Sequence, residues 1–385
     1  MLVHAVRGWS IRRFPEEASE GLRNMNVLIL CDHYPLSPRV KKLRASLEKL
    51  YDGCTVRVLA WNRNLEGGVV REDYVYSFDQ LLGYGNKMAK IMNLPRFARA
   101  AKTVIRDFRP QYIHAIDLEM LIVAVLMGYR AKVIYEVYDI KASNNRFVNL
   151  LREKIETILI HKHVHKVVLA SPFFTEYYRG LGVDDSIMTV LNNKPTKEIL
   201  SKGNSGFMDK YKSSMEHKRV IGFIGTIRYP NILLTLITAV QDLDDFVVLL
   251  AGDGPSLARI RHEIEGRKIK DKVIITGAFS QDDLPCIYKV CDYVWAAYPT
   301  DDLNVKYAVS NKFFEAQLFG KPVLVSRGTR LGDYVEDSHA GVTVDPYSME
   351  DIKKVLVSLS VRDNVTCGDF SFWEDEDVRL LDVYT

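Results

Sequence analysis

The chain has 385 residues, of which 47% are hydrophobic and 26% are charged, and its formal net charge is +3. This length exceeds what one ordinary hydrophobic core organises, so two domains are expected. The composition is typical of a folded globular protein and argues against a disordered or fibrous one. A net charge so close to zero gives no indication of a nucleic-acid partner.

The cysteines argue against stabilisation by disulfides or zinc. They are five in number and scattered, at Cys31, Cys54, Cys286, Cys291 and Cys367, with no Cys-x2-Cys pair. This pattern favours a reducing compartment, so we expect a cytoplasmic protein. Residues 1–24 lack the apolar segment of a signal peptide, and we expect them to be a loosely held extension before a domain that starts near Met25. An ordinary extra helix is the alternative.

Strands and helices alternate along the chain in two series. The first series has short apolar runs at residues 26–31, 55–60, 112–116, 132–137, 166–170 and 187–191. The second has them at residues 219–225, 246–252, 272–277, 292–297 and 322–326. Such runs separated by helices are typical of parallel sheets covered on both faces. The fold class expected is α/β with two Rossmann-like domains facing across a cleft.

We place the domain boundaries where the composition changes. Residues 25–195 form the first domain, and the polar residues 196–218 form a linker. Residues 219–360 form the second domain, and residues 361–385 a terminal segment with a short helix led by Phe372 and Trp373.

Glycine turns follow two strands of the second series. Gly225, Thr226 and Arg228 come after the first, and Gly252-Asp253-Gly254 after the second. Glycine permits close backbone approach, and a helix amino end favours an anion. A lone Gly-x-Gly is equally typical of a plain strand-to-helix turn. The chain contains neither the phosphate-loop pattern nor a full Gly-x-Gly-x-x-Gly.

A helix begins near Ser310-Asn311-Lys312 and carries Glu315 one turn later. Serine or asparagine is an ordinary helix cap, but a lysine in the first turn opposes the helix dipole. A bound diphosphate would account for Lys312, and a ribose would account for Glu315. The alternative for both side chains is a solvated helix face.

Four stretches together carry a family resemblance. They are "IGFIGTIRYPNILLTLITAV", "LLAGDGPSLARI", "VIITGAFSQDDLPCIYKVCDYVWAAYP" and "SNKFFEAQLFGKPVLVS". In this order and spacing, residues 25–360 resemble the family-4 retaining glycosyltransferases of GT-B architecture, also described as glycosyl transferases group 1. The resemblance implies transfer of a sugar from a nucleotide diphosphate-sugar, with retention at the anomeric carbon, in polysaccharide or glycoconjugate biosynthesis. It also implies a terminal helix that crosses back to the first domain.

The same resemblance implies residue roles. Arg228 and Lys312 would stabilise the diphosphate leaving group, so that no metal and no cofactor is expected. Glu315 would hold the ribose, and Gly277, Ala278 and Phe279 would meet the base. The chain departs from the family at Tyr307, where a sugar-holding glutamate is usual.

The acceptor is expected to be a glycan or lipid-linked molecule that approaches the first domain. Candidate residues lie at the ends of its strands and in the loop after the first one: Asp32, Arg39, His114, Asp117, Tyr138 and Asp139. His114 is equally well interpreted as a hydrogen-bonded core histidine.

Residues 86–110 are rich in lysine and arginine interleaved with apolar residues. This pattern suits an anionic membrane surface, with Lys87, Lys90, Arg99 and Lys102 as contacts, and so a peripheral location at the inner membrane face. A solvated basic helix is the alternative. Two other functions also stay open, a nucleotide-sugar epimerase of the same architecture and a non-catalytic nucleotide-sugar-binding subunit.

Overall fold

The fold comes from a computed structural model. It describes residues 4–5, 10–11, 25–63, 72–82, 87–127, 130–143, 145–202, 206–267, 269–359 and 370–385. Most of the predicted N-terminal extension and the first part of the predicted terminal segment lie outside these residues. The chain divides into two compact units, one of residues 1–192 with 377–385 and the other of residues 193–376.

The first unit is built on a parallel sheet of seven strands, in the order β5-β4-β3-β6-β7-β8-β9. The strands of this unit are β1 (His4–Ala5), β2 (Ser10–Ile11), β3 (Asn26–Cys31), β4 (Thr55–Asn62), β5 (Val75–Asp79), β6 (Tyr112–Ile116), β7 (Lys132–Val137), β8 (Val164–Leu169) and β9 (Met188–Val190). The strands β3 to β9 form the seven-stranded sheet. The short strands β1 and β2 pair with each other in antiparallel fashion. The central strand β3 is buried over five of its six residues, as its unbroken apolar sequence predicts.

The helices of the first unit connect the strands. They are α1 (Pro38–Leu50), α2 (Lys87–Phe108), α3 (Asp117–Leu126), α4 (Arg146–His163) and α5 (Phe174–Gly180), with 3-10 helices at Asp185–Ile187 and Asp377–Asp382. α3 packs between α2 and α4. The last nine residues belong to the first unit, where the Tyr384 hydroxyl lies 2.6 Å from His114 Nδ1, whereas the predicted terminal helix, at Trp373–Glu376, belongs to the second unit.

The second unit has a parallel sheet of six strands, in the order β12-β11-β10-β13-β14-β15. Its strands are β10 (Arg219–Ile224), β11 (Phe246–Ala251), β12 (Val273–Gly277), β13 (Tyr293–Ala296), β14 (Val323–Ser326) and β15 (Gly341–Val344). All six residues of β11 are buried. Both sheets therefore confirm the expected α/β class with two Rossmann-like domains.

The second unit also contains α-helices, most of which connect its strands. They are α6 (Lys212–Met215), α7 (Pro230–Val240), α8 (Leu257–Arg267), α9 (Leu284–Val290), α10 (Leu303–Tyr307), α11 (Asn311–Leu318), α12 (Arg330–Asp337), α13 (Met349–Ser358) and α14 (Trp373–Glu376). Four 3-10 helices lie at Lys197–Ser201, Asp209–Tyr211, Lys270–Lys272 and Gln281–Asp283.

Strand order identifies where a ligand is expected. In the second unit the chain leaves β10 toward β11 on one side and later returns to place β13 on the other side. In an open parallel sheet, such a change of direction opens a crevice at the carboxyl ends of the two strands. The equivalent position in the first unit is between β3 and β6.

Candidate functional site

Two glycine turns at the carboxyl ends of β10 and β11 pack closely against each other. Gly225 N–H donates to the Ala251 carbonyl at 2.8 Å, and Gly252 N–H donates to the Gly277 carbonyl at 2.9 Å. Gly252 has a φ of +141°, and a Cβ placed on it would lie 2.0 Å from the Gly225 carbonyl oxygen. The two turns can approach this closely only because position 252 has no side chain.

The loop that carries Arg228 is fixed through its backbone. Ile227 N–H donates to the Asp253 carbonyl at 2.9 Å, and the Ser256 hydroxyl donates to the Arg228 carbonyl at 2.9 Å. A Cβ on Gly254 would lie 2.4 Å from the Ile227 carbonyl oxygen, so this contact also requires glycine. The Arg228 side chain is exposed and forms no ion pair within the described residues. The backbone at Arg228 is thus held in place, while the charge of its side chain remains accessible.

Lys312 lies against the first glycine turn. Its ammonium nitrogen is 3.3 Å from where a Cβ of Gly225 would stand, and 4.6 Å from the centroid of the Phe223 ring. It donates a hydrogen bond to the Tyr298 hydroxyl at 2.8 Å. Over the part of the chain that the structure describes, no carboxylate forms an ion pair with Lys312. A half-buried positive charge held by a hydroxyl and an aromatic ring is suited to bind an anion.

Tyr298 is a further candidate for this site, and the sequence did not reveal it. It follows β13, and the Ser326 hydroxyl fixes its backbone by accepting from Tyr298 N–H and donating to the Tyr298 carbonyl, both at 2.7 Å. Its ring packs edge-on against Tyr229 with centroids 5.9 Å apart. A polar aromatic residue directly after a strand at the crevice was the available signal.

Glu315 lies one turn after Lys312 but contacts a different neighbour. The Tyr288 hydroxyl, on α9, donates to Glu315 Oε2 at 2.5 Å. Burial and the negative charge of Glu315 raise the pKa of Tyr288 well above its usual value. Tyr288 therefore remains a donor that orients the half-buried Glu315 carboxylate.

The remaining donor-side candidates occupy the same edge of the sheet. Ser310 caps α11 by accepting from Lys312 N–H at 3.3 Å, and Asn311 accepts from Asn193 Nδ2 at 3.0 Å. Thr226 and Asp253 are exposed in the two turns. Gly277, with a φ of +76°, ends β12, and it is followed by Ala278 and Phe279.

The start of α7 adds further polarity to this edge. The helix follows the Arg228 loop directly and begins with Pro230, and its N-cap Tyr229 makes no side-chain capping bond. The first backbone N–H groups of a helix carry partial positive charge and favour an anion. Lys312 lies next to Gly225, and Arg228 and the start of α7 supply further positive potential from the loop that follows it.

In the first unit, two acceptor-side candidates are in the interior. Arg39 donates to Glu136 and to the Leu191 carbonyl, each at 2.8 Å, and the other Glu136 oxygen lies 2.7 Å from His114 Nε2. All three side chains are buried. Because this network already occupies Arg39 and His114, they are not in a position to touch an acceptor, and for His114 the core interpretation fits best.

Charged side chains gather between the ends of β3 and β6. Lys90 Nζ is 2.5 Å from Asp32 and 3.2 Å from Glu119, and Lys141 Nζ is 2.8 Å from Asp117. Burial opposes ionisation of Asp32, but the His33 hydrogen bond and the Lys90 charge outweigh it and hold the Asp32 pKa below its usual value. Lys90 therefore belongs to this cluster and not to the exposed basic surface that the sequence predicts.

Within this cluster the pKa of Asp117 is raised, whereas that of Asp32 is lowered. Burial raises the pKa of Asp117 to about 6, because the positive charge of the neighbouring Lys141 only partly offsets the effect of burial. Its backbone φ is +63°, a strained value for a residue with a side chain. Its carboxylate accepts from Tyr138 N–H at 3.2 Å, and Asp139 beyond it is exposed. Asp32, Asp117, Tyr138 and Asp139 thus stay close together at the crevice of the first unit.

Two features are absent from the described residues. No group of three or more His, Cys, Asp or Glu side chains there is arranged to hold a metal ion. No helix among them has the length and apolar character needed to cross a bilayer.

Comparison with known families identifies the second unit. Residues 207–361 match the family model described as glycosyl transferases group 1. This range contains every donor-side candidate named above. The second unit is a group 1 glycosyltransferase domain.

Two curated proteins are similar to this chain in sequence. An alpha-monoglucosyldiacylglycerol synthase from Streptococcus pneumoniae is 25% identical over 145 residues, which are 38% of this chain and 30% of the relative. A 2-deoxystreptamine N-acetyl-D-glucosaminyltransferase from Niallia circulans is 20% identical over 226 residues, 57% of this chain and 56% of the relative. The matched stretches thus span less than two thirds of either relative.

Solved structures share the fold across most of the chain. The sucrose-phosphate synthase of Thermosynechococcus elongatus superimposes with a TM-score of 0.74 at 14% identity, covering 94% of this chain and 98% of that one. HepE of Anabaena, in complex with UDP and glucose, gives 0.68 at 15% identity, covering 93% and 98%. A UDP-N-acetylglucosamine 2-epimerase gives 0.59 at 13% identity, covering 91% and 94%. These likenesses establish the GT-B fold.

Proposed function

We propose that this protein transfers a sugar from a nucleotide diphosphate-sugar to a hydroxyl of a glycan or lipid-linked acceptor, with retention of the anomeric configuration. The observation that carries the proposal is the position of Lys312. Its ammonium group lies over the Gly225 turn at the crevice of a group 1 glycosyltransferase domain.

The role of this edge would be to stabilise the leaving group. When the bond between the anomeric carbon and the diphosphate oxygen breaks, negative charge develops on the nucleoside diphosphate. Lys312, Arg228 and the first amides of α7 would meet that charge from fixed positions, and groups that need no rearrangement are the most effective at this. At about 4 Å and an effective dielectric of about 20, the attraction between one cationic side chain and one phosphate charge is roughly 4 kcal/mol.

The rest of the nucleotide would extend away from Lys312. Glu315, oriented by Tyr288, would accept hydrogen bonds from the two ribose hydroxyls. The backbone of Gly277, Ala278 and Phe279 would lie beside the base. Tyr307, at the end of α10, would then stand where a glutamate commonly holds the sugar.

The comparisons support a sugar transferase acting on a nucleotide-linked donor. Both curated relatives are named for transfer or synthesis of a glycosylated product, and the HepE structure contains UDP and glucose. We further propose that the reaction needs no metal, because the cationic groups at the Gly225 turn would do the charge neutralisation. Activity that is unchanged in excess EDTA would agree with this, and activity lost in EDTA and restored by Mg²⁺ would contradict it.

The decisive experiment distinguishes sugar transfer from the two alternative functions, a nucleotide-sugar epimerase and a non-catalytic nucleotide-sugar-binding subunit. The protein is incubated with UDP-, GDP- and ADP-sugars, with and without extracted lipids or glycans, and nucleotide release and sugar identity are measured. Acceptor-dependent release with an anomeric configuration unchanged by NMR supports the proposal. Isomerisation of the sugar without an acceptor would instead establish an epimerase, and binding without either change would establish a non-catalytic subunit.

A further inference from the structure

Helix α4 of the first unit is amphipathic, but its apolar side is turned to solvent. Phe147, Leu151, Ile155 and Ile158 follow each other at helical spacing and form one stripe. Their side chains are between 39% and 74% exposed, with Phe147 the most exposed. Leu150, beside the stripe, is 54% exposed. A stripe of this kind normally packs into the core.

The opposite side of α4 explains why this helix still packs well. Glu156 is buried and accepts hydrogen bonds from the hydroxyls of Tyr135 and Tyr178, at 2.5 and 2.6 Å. Glu153 accepts from the Tyr177 hydroxyl at 3.0 Å. The helix is therefore held to the unit by Glu156, Glu153 and the buried Ile160, and its apolar stripe lies outside the unit's own core.

Only positive charge accompanies the stripe at the exposed surface of α4. Arg146, Lys154 and Lys162 are exposed, whereas Glu156 is buried and Glu153 is half-buried against the Tyr177 hydroxyl. Apolar side chains bordered by lysine and arginine match the boundary between anionic headgroups and acyl chains. Pairing with a second copy of the same face about a twofold axis would bring these like charges together, which is unfavourable.

Neighbouring helices continue the same character. A groove of about 320 Å³ lies between α2 and α3, and its lining includes Ile91, Leu94, Pro95 and Leu126 together with Arg99 and Lys102. Ile91, Met92 and Leu126 are strongly exposed. Since α3 packs between α2 and α4, these features belong to one layer of helices on one face of the sheet.

We infer that the exposed face of α4, with Phe147, Leu151, Ile155 and Ile158 inserted among lipid chains, docks the first unit on an anionic membrane. Arg146, Lys154 and Lys162 would contact the lipid phosphates.

The test measures binding to phosphatidylcholine vesicles with and without phosphatidylglycerol by cosedimentation. The variant Phe147→Glu/Ile155→Glu places two negative charges in the stripe, at positions exposed enough for the fold to be kept, which its thermal melting checks. The matched control is Leu200→Glu/Val357→Glu, since these two side chains of the second unit are 61% and 63% exposed.

We expect the wild type and the control to bind the anionic vesicles equally, and the α4 variant to bind at least tenfold more weakly. Absent wild-type binding, or equal binding by the α4 variant, would overturn the inference. A wild-type dimer in solution that the α4 variant dissociates would also overturn it, because the face would then be an interface between copies. Vesicle binding needs no nucleotide, so intact vesicle binding without sugar transfer would count against the proposed function alone.

Discussion

At the scale of single residues, position 252 tolerates no side chain. A Cβ there would lie 2.0 Å from the Gly225 carbonyl oxygen, and the backbone φ is +141°. We expect Gly252→Ala to destabilise the second unit by about 3 kcal/mol, through overpacking and backbone strain. Denaturant titration followed by fluorescence of the buried Trp295 measures this.

The control for that substitution is Gly266→Ala. Gly266 lies in α8, and a Cβ on it would meet nothing within 4 Å. Alanine there should stabilise the helix by about 0.5–1 kcal/mol. A Gly252→Ala protein as stable as the wild type would show that the two turns are not packed as described.

The residues of the candidate site differ in how far the sequence could predict them. Lys312 was predictable because a lysine in the first turn of a helix is unfavourable without an anion. Tyr298 was not, because its contact with Lys312 depends on how Ser326 fixes the loop after β13. Similarly, nothing in the sequence pairs Arg39 with Glu136, 97 positions away.

At the scale of elements, Glu136 joins β7 to its surroundings. It is buried between Arg39 of α1 and His114 of β6. We expect Glu136→Gln to destabilise the first unit by roughly 3–5 kcal/mol, because it leaves a buried arginine without its counter-charge. The control Glu48→Gln breaks only the surface pair with Arg44 and should cost at most about 0.5 kcal/mol. Equal stability of the two variants would contradict this account.

The lowered pKa of Glu136 predicts that the stability of the first unit depends on pH. Burial opposes its ionisation, but Arg39 and His114 outweigh burial and lower the Glu136 pKa from 4.5 to about 2. Because the folded pKa is the lower one, this contribution to stability is complete above about pH 4.5 and is lost as pH falls toward 2. Unfolding titrations across this window should show a smaller acid-induced loss for Glu136→Gln than for the wild type. A loss of the same size in both proteins would assign the acid sensitivity to other groups.

Strands differed in how clearly their sequences indicated them. β10 and β11 are central and almost wholly apolar, so their sequences indicated them directly. The edge strands β5 and β15 escaped prediction because one contains Ser and Asp, and the other begins with Gly and contains Thr. The loop after β13 also contains the short helix α10, which Asp302 caps by accepting from Asn304 N–H at 2.9 Å.

At the scale of the whole molecule, the last nine residues stabilise the unit that begins the chain. Tyr384 and Leu380 are buried there, the Leu380 carbonyl accepts from the Tyr51 hydroxyl, and Asp377 accepts from Ser46. Removal of residues 377–385 should therefore speed amide exchange in β6 and β7 at least tenfold, with β11 unchanged as the internal control. Tyr384→Phe removes only the hydroxyl next to His114 and should have a smaller effect in the same direction. Unchanged exchange in β6 after truncation would contradict this role.

The central claim is that Lys312 and the Gly225 turn bind the diphosphate of a nucleotide. Isothermal titration of the full chain with UDP, GDP and ADP tests it most directly, in the wild type, in Lys312→Met and in the control Lys353→Met, which loses a surface pair with Asp242. Loss of one charge-assisted contact predicts about 10- to 100-fold weaker binding for Lys312→Met, with the control unchanged. Absence of nucleotide binding by the wild type, or equal affinity in Lys312→Met, would contradict the account.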